Sequence, residues 1–225
     1  MNNKYKLTET FIGNCGKKLY RIEAIKSFGN IKAGEIGGYI EKEANLSAYD
    51  NAWVYDNALV YDNAHVYGNA KVYDNAQVFG NTQVFGNAWV YGDAMVYDNA
   101  QVSDNAQVFG DVRVSDNARV YGNARVYGNT KVFGNAWVYG DARVSGNARI
   151  KQKIEKTTDI VVIGSIGSRK DTATIIGNEI NVGCFTGTLE EFATRVTKTH
   201  GENKYAQEYF AMLRFVKELQ KIRKS

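Results

Sequence analysis

Residues 52–81 read AWVYDN ALVYDN AHVYGN AKVYDN AQVFGN, one six-residue unit repeated without a break. Valine or isoleucine recurs at every sixth position from Val54 to Ile150, seventeen times in all. Two residues before each stands Ala, except at Thr82, Val112 and Thr130, and three before each stands Asn or Asp, from Asn51 to Asn147. A helix would scatter these residues around its circumference, because six is not a multiple of 3.6. An extended segment of period two puts Ala and Val on one side and the variable residue and Tyr or Phe on the other. The Asp-Asn or Gly-Asn pair that follows supplies a corner. Asn is expected there in the left-handed conformation, which it tolerates better than other non-glycine residues, with the Asp or Gly before it fitting the same turn.

Three such units close a triangular coil of 18 residues with Val and Ala in its narrow interior. Coils stack at strand spacing, about 4.8 Å, so seventeen hexads make between five and six coils and a prism roughly 27 Å long. Stability comes from stacked neighbours, and the open edges at both ends need covering. The reading is a mainly β chain in three parts. A β-rich cap spans 1–43, the parallel β-helix 44–150, and a small α+β module 151–225.

The repeat resembles the hexapeptide-repeat family: an aliphatic residue, a small or acidic one, two free positions, a small one and a free one. The resemblance implies a left-handed parallel β-helix, an exception to right-handed crossovers, and a parallel-axis homotrimer. Many members are acyltransferases. This chain departs at the position after the Val, which is Tyr or Phe thirteen times in sixteen between Tyr55 and Ser145. The opening LYRIEAIKSFGNIKAGEIGGYIEKEANLSAYDNAWVYDNA is similar to that of hexapeptide proteins from bacteria and phages. The resemblance covers about residues 18–150.

Catalysis by the family's route needs a histidine base at a subunit junction and, as a rule, a protruding loop. The repeat has no insertion and one histidine, the outward-facing His65. The zinc site of hexapeptide carbonic anhydrases takes three histidines, and the chain has two, His65 and His200. No Walker or dinucleotide fingerprint is present. The reading is therefore non-catalytic, with no metal and no cofactor. Residues 18 apart stack, so Asp93 lies over Asp111 and Asp98 over Asp116, but two solvated carboxylates make a poor cation site. The alternative, a transferase acting on an acyl- or nucleotide-activated substrate, would use a site between subunits.

Two outward columns are candidate binding surfaces. One presents Trp53 and Tyr55, then Lys71 and Tyr73, then Trp89 and Tyr91, an apolar patch suited to a subunit interface, with Lys71 between two indoles. The other ends in Arg113, Lys131 and Arg149, stacked cations that suit a phosphate-bearing ligand or an acidic protein surface. Charge is graded along the prism: seven of ten repeat acids lie at or before Asp104, and six of seven repeat bases at or after Arg113. The net charge of +4 is too diffuse for a sequence-specific nucleic-acid binder.

After Ile150 the period stops. DIVVIGSI, TATIIG and EINVGCF read as three strands, and Thr188-Leu-Glu-Glu191 as a capping box opening the first of two helices, the second at about 203–223. The tail is similar to a module of small phage and prophage proteins. Its GSIGSRKDT turn joins Ser165, Ser168 and Arg169 as an anion-binding turn would. The expected role is a phage- or prophage-related binding or scaffold protein, taking a protein partner or a small anion such as a nucleotide signal. The N-terminus lacks a signal-peptide core, which points to the cytoplasm. Cys15 and Cys184 are expected as free buried thiols.

Overall fold

The computed structural model describes residues 3–224, so residues 1–2 and 225 of the two expected terminal units lie outside it. Each hexad forms a short strand centred on its Val and pairs in parallel with the hexad 18 residues on: Trp53 with Lys71, Val72 with Val90, Val90 with Val108. Three parallel ladders result, two of six strands and one extended to nine. Every repeat Val and Ala is buried. Thr82 and Thr130 take the place of Ala inside the prism because their hydroxyls donate to Phe79 O at 2.6 Å and Tyr127 O at 2.8 Å.

The corners differ from the sequence reading in one respect. The left-handed conformation belongs to the residue before the Asn, with φ of 60° at Asp62, 59° at Asp74 and 75° at Gly68. The Asn side chains instead form ladders along the edges, as in Asn63 to Asn81 to Asn99 at 3.2 and 3.1 Å. An amide in mid-ladder donates to the oxygen one coil on and accepts from the coil before, which selects Asn, while Asp93 and Asp141 in the same position only accept. Corner aspartates have their own task. Asp62, Asp74, Asp104 and Asp116 accept the N–H of Gly80, Gly92, Gly122 and Gly134 at 3.2, 3.0, 3.0 and 2.7 Å.

At the N-terminal end a hairpin of Tyr5–Asn14 and Lys17–Ala24 continues into Ile36–Ile40, which pairs antiparallel with the hairpin and parallel with Leu59–Val60. The cap and the stack therefore share one sheet. At the other end Trp137 pairs with Lys153 and Val138 with Ile154, two residues short of the regular coil. The stack thus runs past 44–150 on both sides. Its open edge is met by threonine hydroxyls: the N–H groups of Arg143 and Arg149 donate to Thr157 and Thr174 at 3.0 and 3.2 Å. This satisfies backbone donors that an uncovered edge would present to other chains.

The tail has four antiparallel strands, Ile160–Ile166, Asp171–Ile176, Glu179–Val182 and Phe185–Thr188, followed by α1 (Leu189–His200) and α2 (Lys204–Lys224). The expected single strand EINVGCF is broken at Gly183, whose φ of 56° reverses the chain. The capping box forms as read, with Glu191 N donating to Thr188 Oγ1 at 3.1 Å and Thr188 N to Glu191 Oε2 at 2.8 Å. Leu189, Phe192 and Val196 of α1 and Tyr209, Leu213 and Val216 of α2 pack on Ile166, Ile175 and Ile180 of the sheet. Ile222, near the end of α2, is 69% exposed, while its neighbours Gln220 and Arg223 bond to Gly177 O and Thr158 O. Cys15 and Cys184 are free but exposed, since both fall in turns rather than in strands. No helix among the described residues is long and apolar enough to cross a membrane.

Candidate functional site

Trp53 does not belong to an open face. It is fully buried beneath the cap, edge-on to Tyr5 and Phe28 at 6.1 and 5.4 Å. Gly37 permits this cover, since a Cβ there would lie 2.6 Å from Ile22 and from the Val54 carbonyl and 2.7 Å from the Trp53 ring. The proposed indole–lysine–indole sandwich is therefore reduced to one side, with Lys71 Nζ 5.3 Å from the Trp89 ring. Tyr55, Asp56, Lys71, Tyr73 and Trp89 line a shallow cleft of about 270 Å³. Behind it Tyr73, Tyr91, Phe109 and Tyr127 stack nearly parallel at 4.7, 4.7 and 5.1 Å. Burial raises the Tyr73 phenol to about 12, with Tyr91 and Asp74 adding to the effect. Much of this aromatic area is thus internal support for the prism.

Arg113, Lys131 and Arg149 are in register on successive rungs of the nine-stranded ladder. All three side chains are exposed, and no carboxylate lies within 4.0 Å of them among the described residues. Most corner acids sit in the other half of the prism, and Asp116, which lines the same groove as the cations, accepts the Gly134 N–H at 2.7 Å. The aromatic column beside these cations is interrupted at Ser115, between Tyr97 and Phe133, which opens a groove of about 170 Å³ along the column. The Arg149 guanidinium and Lys151 Nζ lie over the Phe133 ring at 5.4 and 5.2 Å, so Phe133 supports the far end of the cationic row. Ser115 is a signal that sequence reading passed over: it is where the tall aromatic side chain is missing.

The tail brings Ser168 and Arg169 together with residues from both helices. Ser165 is not among them. It is exposed at the bulge of the first tail strand with φ of 52°. Ser168, Arg169, Asp171, Arg195, His200 and Tyr209 rim a cleft of about 230 Å³ floored by Phe185 and Phe192. The sequence did not connect Arg195, His200 and Tyr209 with this turn, because nothing periodic links them to it. Burial pushes the Tyr209 phenol up, opposed by hydrogen bonding to Ser168, while the Asp171 carboxylate adds to the rise. A larger cleft of about 580 Å³ lies by Thr158, Gly177 and Arg223. Its polar groups are spent on the fold: Gln220 Nε2 donates to Gly177 O at 2.6 Å and Arg223 to Thr158 O at 2.7 Å.

His65 Nδ1 donates to Ala44 O at 2.6 Å, which commits that nitrogen to the junction of cap and stack. Asp93 accepts from Asn75 at 3.1 Å and Asp98 from Asp116 N at 3.2 Å, so these carboxylates serve the edges. No cluster of three metal-ligating side chains occurs among the described residues.

With register, interior and corners in place, the comparison with known proteins concerns the repeat. Residues 52–68, 88–104, 100–116 and 118–132 match a family model described as the YdcK beta solenoid repeat. The central region is a β-solenoid. The match covers rungs in both halves of the solenoid, including the cationic one at Arg113 and the aromatic one at Trp89. None of the curated proteins compared matches the chain.

Proposed function

We propose that this chain is a non-catalytic binding and scaffold protein whose solenoid offers its cationic column to an acidic protein partner. The observation that carries this reading is the row Arg113, Lys131 and Arg149, held one rung apart and, among the described residues, without a carboxylate within 4.0 Å, the Asp116 side chain in the same groove being turned to Gly134 N–H. Like charges about 4.8 Å apart repel, and an anionic surface lying along the axis relieves that repulsion. The rigid rung spacing means that no backbone ordering is needed on binding, only that of the three side chains. The resemblance of residues 18–150 to hexapeptide-repeat proteins of bacteria and phages, and of the tail to phage modules, supports a phage or prophage setting.

Binding of a labelled poly-glutamate peptide, followed by anisotropy at low salt, tests the column. Replacing Arg113, Lys131 and Arg149 with Ala is expected to weaken binding about tenfold or more. Replacing Lys198, Lys217 and Lys221, three cations on the helices, should leave it within about twofold. Equal losses from the two sets would reduce the column to general charge.

The aromatic cleft supports assembly with further copies, the trimer expected from the family resemblance. Tyr55, Lys71, Tyr73, Trp89 and Tyr91 remain for this contact, without Trp53. A light-scattering mass of three times the 25.1 kDa chain, falling to one chain on Trp89→Glu, is the expected result. A wild-type monomer would remove the trimer.

A further inference from the structure

We propose that the cleft between the 167–171 turn and the two helices binds a small, hydroxylated phosphomonoester, independently of the cationic column, with which it shares no residue. The cleft is built from parts that fit only in this arrangement. A Cβ on Gly167 would lie 1.9 Å from the Tyr209 ring and hydroxyl, so the phenol fills space that only glycine leaves open. Gly167 and Lys170 have φ of 74° and 52°, and between them the chain holds Ser168 and Arg169 at the rim. Left-handed backbone at Lys170 costs about 1 kcal/mol, a strain the rest of the turn must hold in place.

Electrostatics selects the ligand. Arg169 comes from the turn, and Arg195 and His200 from the C-terminal half of α1, so three nitrogen-bearing groups from two elements line one cleft. Among the described residues none of the three lies within 4.0 Å of a carboxylate. The Arg169 guanidinium donates, among the described residues, to Cys184 Sγ at 3.9 Å, a weak acceptor. The C-terminal dipole of α1 accounts for cations on its last turn but not for Arg169, which belongs to another element. Two guanidinium groups offer paired N–H donors to a phosphate dianion. Asp171 on the same rim would repel a bare anion, yet it accepts hydrogen bonds from hydroxyls. The rim therefore combines donors for a phosphate with an acceptor for hydroxyls, beside Phe185 and Phe192. At about 230 Å³ the cleft is below the roughly 300–1,000 Å³ of sites for drug-sized molecules, which suits a sugar phosphate.

Calorimetric titration of the full-length protein with ribose 5-phosphate, inorganic phosphate and ribose tests the site. Ribose 5-phosphate should bind at least tenfold more tightly than phosphate, and ribose should not bind. Arg169→Ala and Arg195→Ala should each weaken ribose 5-phosphate about 10- to 100-fold. Asp171→Ala, which removes the acceptor for the hydroxyls, should erase its advantage over phosphate. Both arginines are exposed, so an unchanged melting temperature verifies that these variants fold. The proposal is overturned if neither phosphorylated probe binds at millimolar concentration, if binding survives both arginine substitutions, or if ribose 5-phosphate and phosphate bind alike.

Discussion

The solenoid and the C-terminal module solve the same problem, burying apolar surface, in opposite ways. In the solenoid each residue meets its counterpart one coil away: Val90 touches Val72 and Val108, and Asn81 bonds to Asn63 and Asn99. A functional surface there can only be a column, because whatever stands on one rung stands over the next. In the module Tyr209 meets Gly167 and Arg223 reaches Thr158. Contacts of that kind bend the chain around a concavity. The regular region thus supplies a flat charged face and the irregular one a cleft.

The largest effect that sharpens this comparison is expected inside the solenoid. Val90→Asp buries a carboxylate in an interior with no polar partner, at a cost of about 4 kcal/mol in chemical denaturation. A loss below about 1 kcal/mol would show that the interior relaxes around the charge, contrary to the dense packing of protein cores.

A smaller and more local effect is expected from Gly167→Ala in the module. The new methyl group meets Tyr209 and takes a positive φ, together costing about 2–3 kcal/mol. Amide exchange should quicken in residues 160–224 and stay unchanged between residues 54 and 138. Faster exchange in both would mean that the two regions open as one unit, and the contrast drawn above would fail.

The smallest effect concerns the cap, where the solenoid meets irregular structure at its other end. Burial lowers the Lys4 amine to about 8, opposed by the nearby Asp50 carboxylate, while its Nζ donates to Ser47 O and Ala52 O at 2.8 and 2.7 Å. Between pH 8 and the ordinary lysine value of 10.5 the unfolded chain keeps a proton that the folded cap has released. Stability therefore rises with pH across that window. The difference between wild type and Lys4→Met isolates this rise from the tyrosines, and a flat difference would contradict it.

The sequence by itself determined the 18-residue coil, the buried Val and Ala columns, the capping box at Thr188 and the gradient from corner acids to outward cations. These were legible because a repeat makes every long-range contact a copy of one local pattern, and strand sterics then decide which side faces in. Only the tertiary structure decided that Trp53 lies under the cap while Trp89, on an equivalent rung, stays at the surface. It also decided that Asp or Gly, and not Asn, takes the left-handed corner, since the Asn ladder exists only once the coils are stacked. The clustering of Ser168 and Arg169 with Arg195, His200 and Tyr209, to the exclusion of Ser165, was likewise out of reach. It depends on how two helices dock on a four-stranded sheet, and that docking is set by side-chain shapes which no period in the chain encodes.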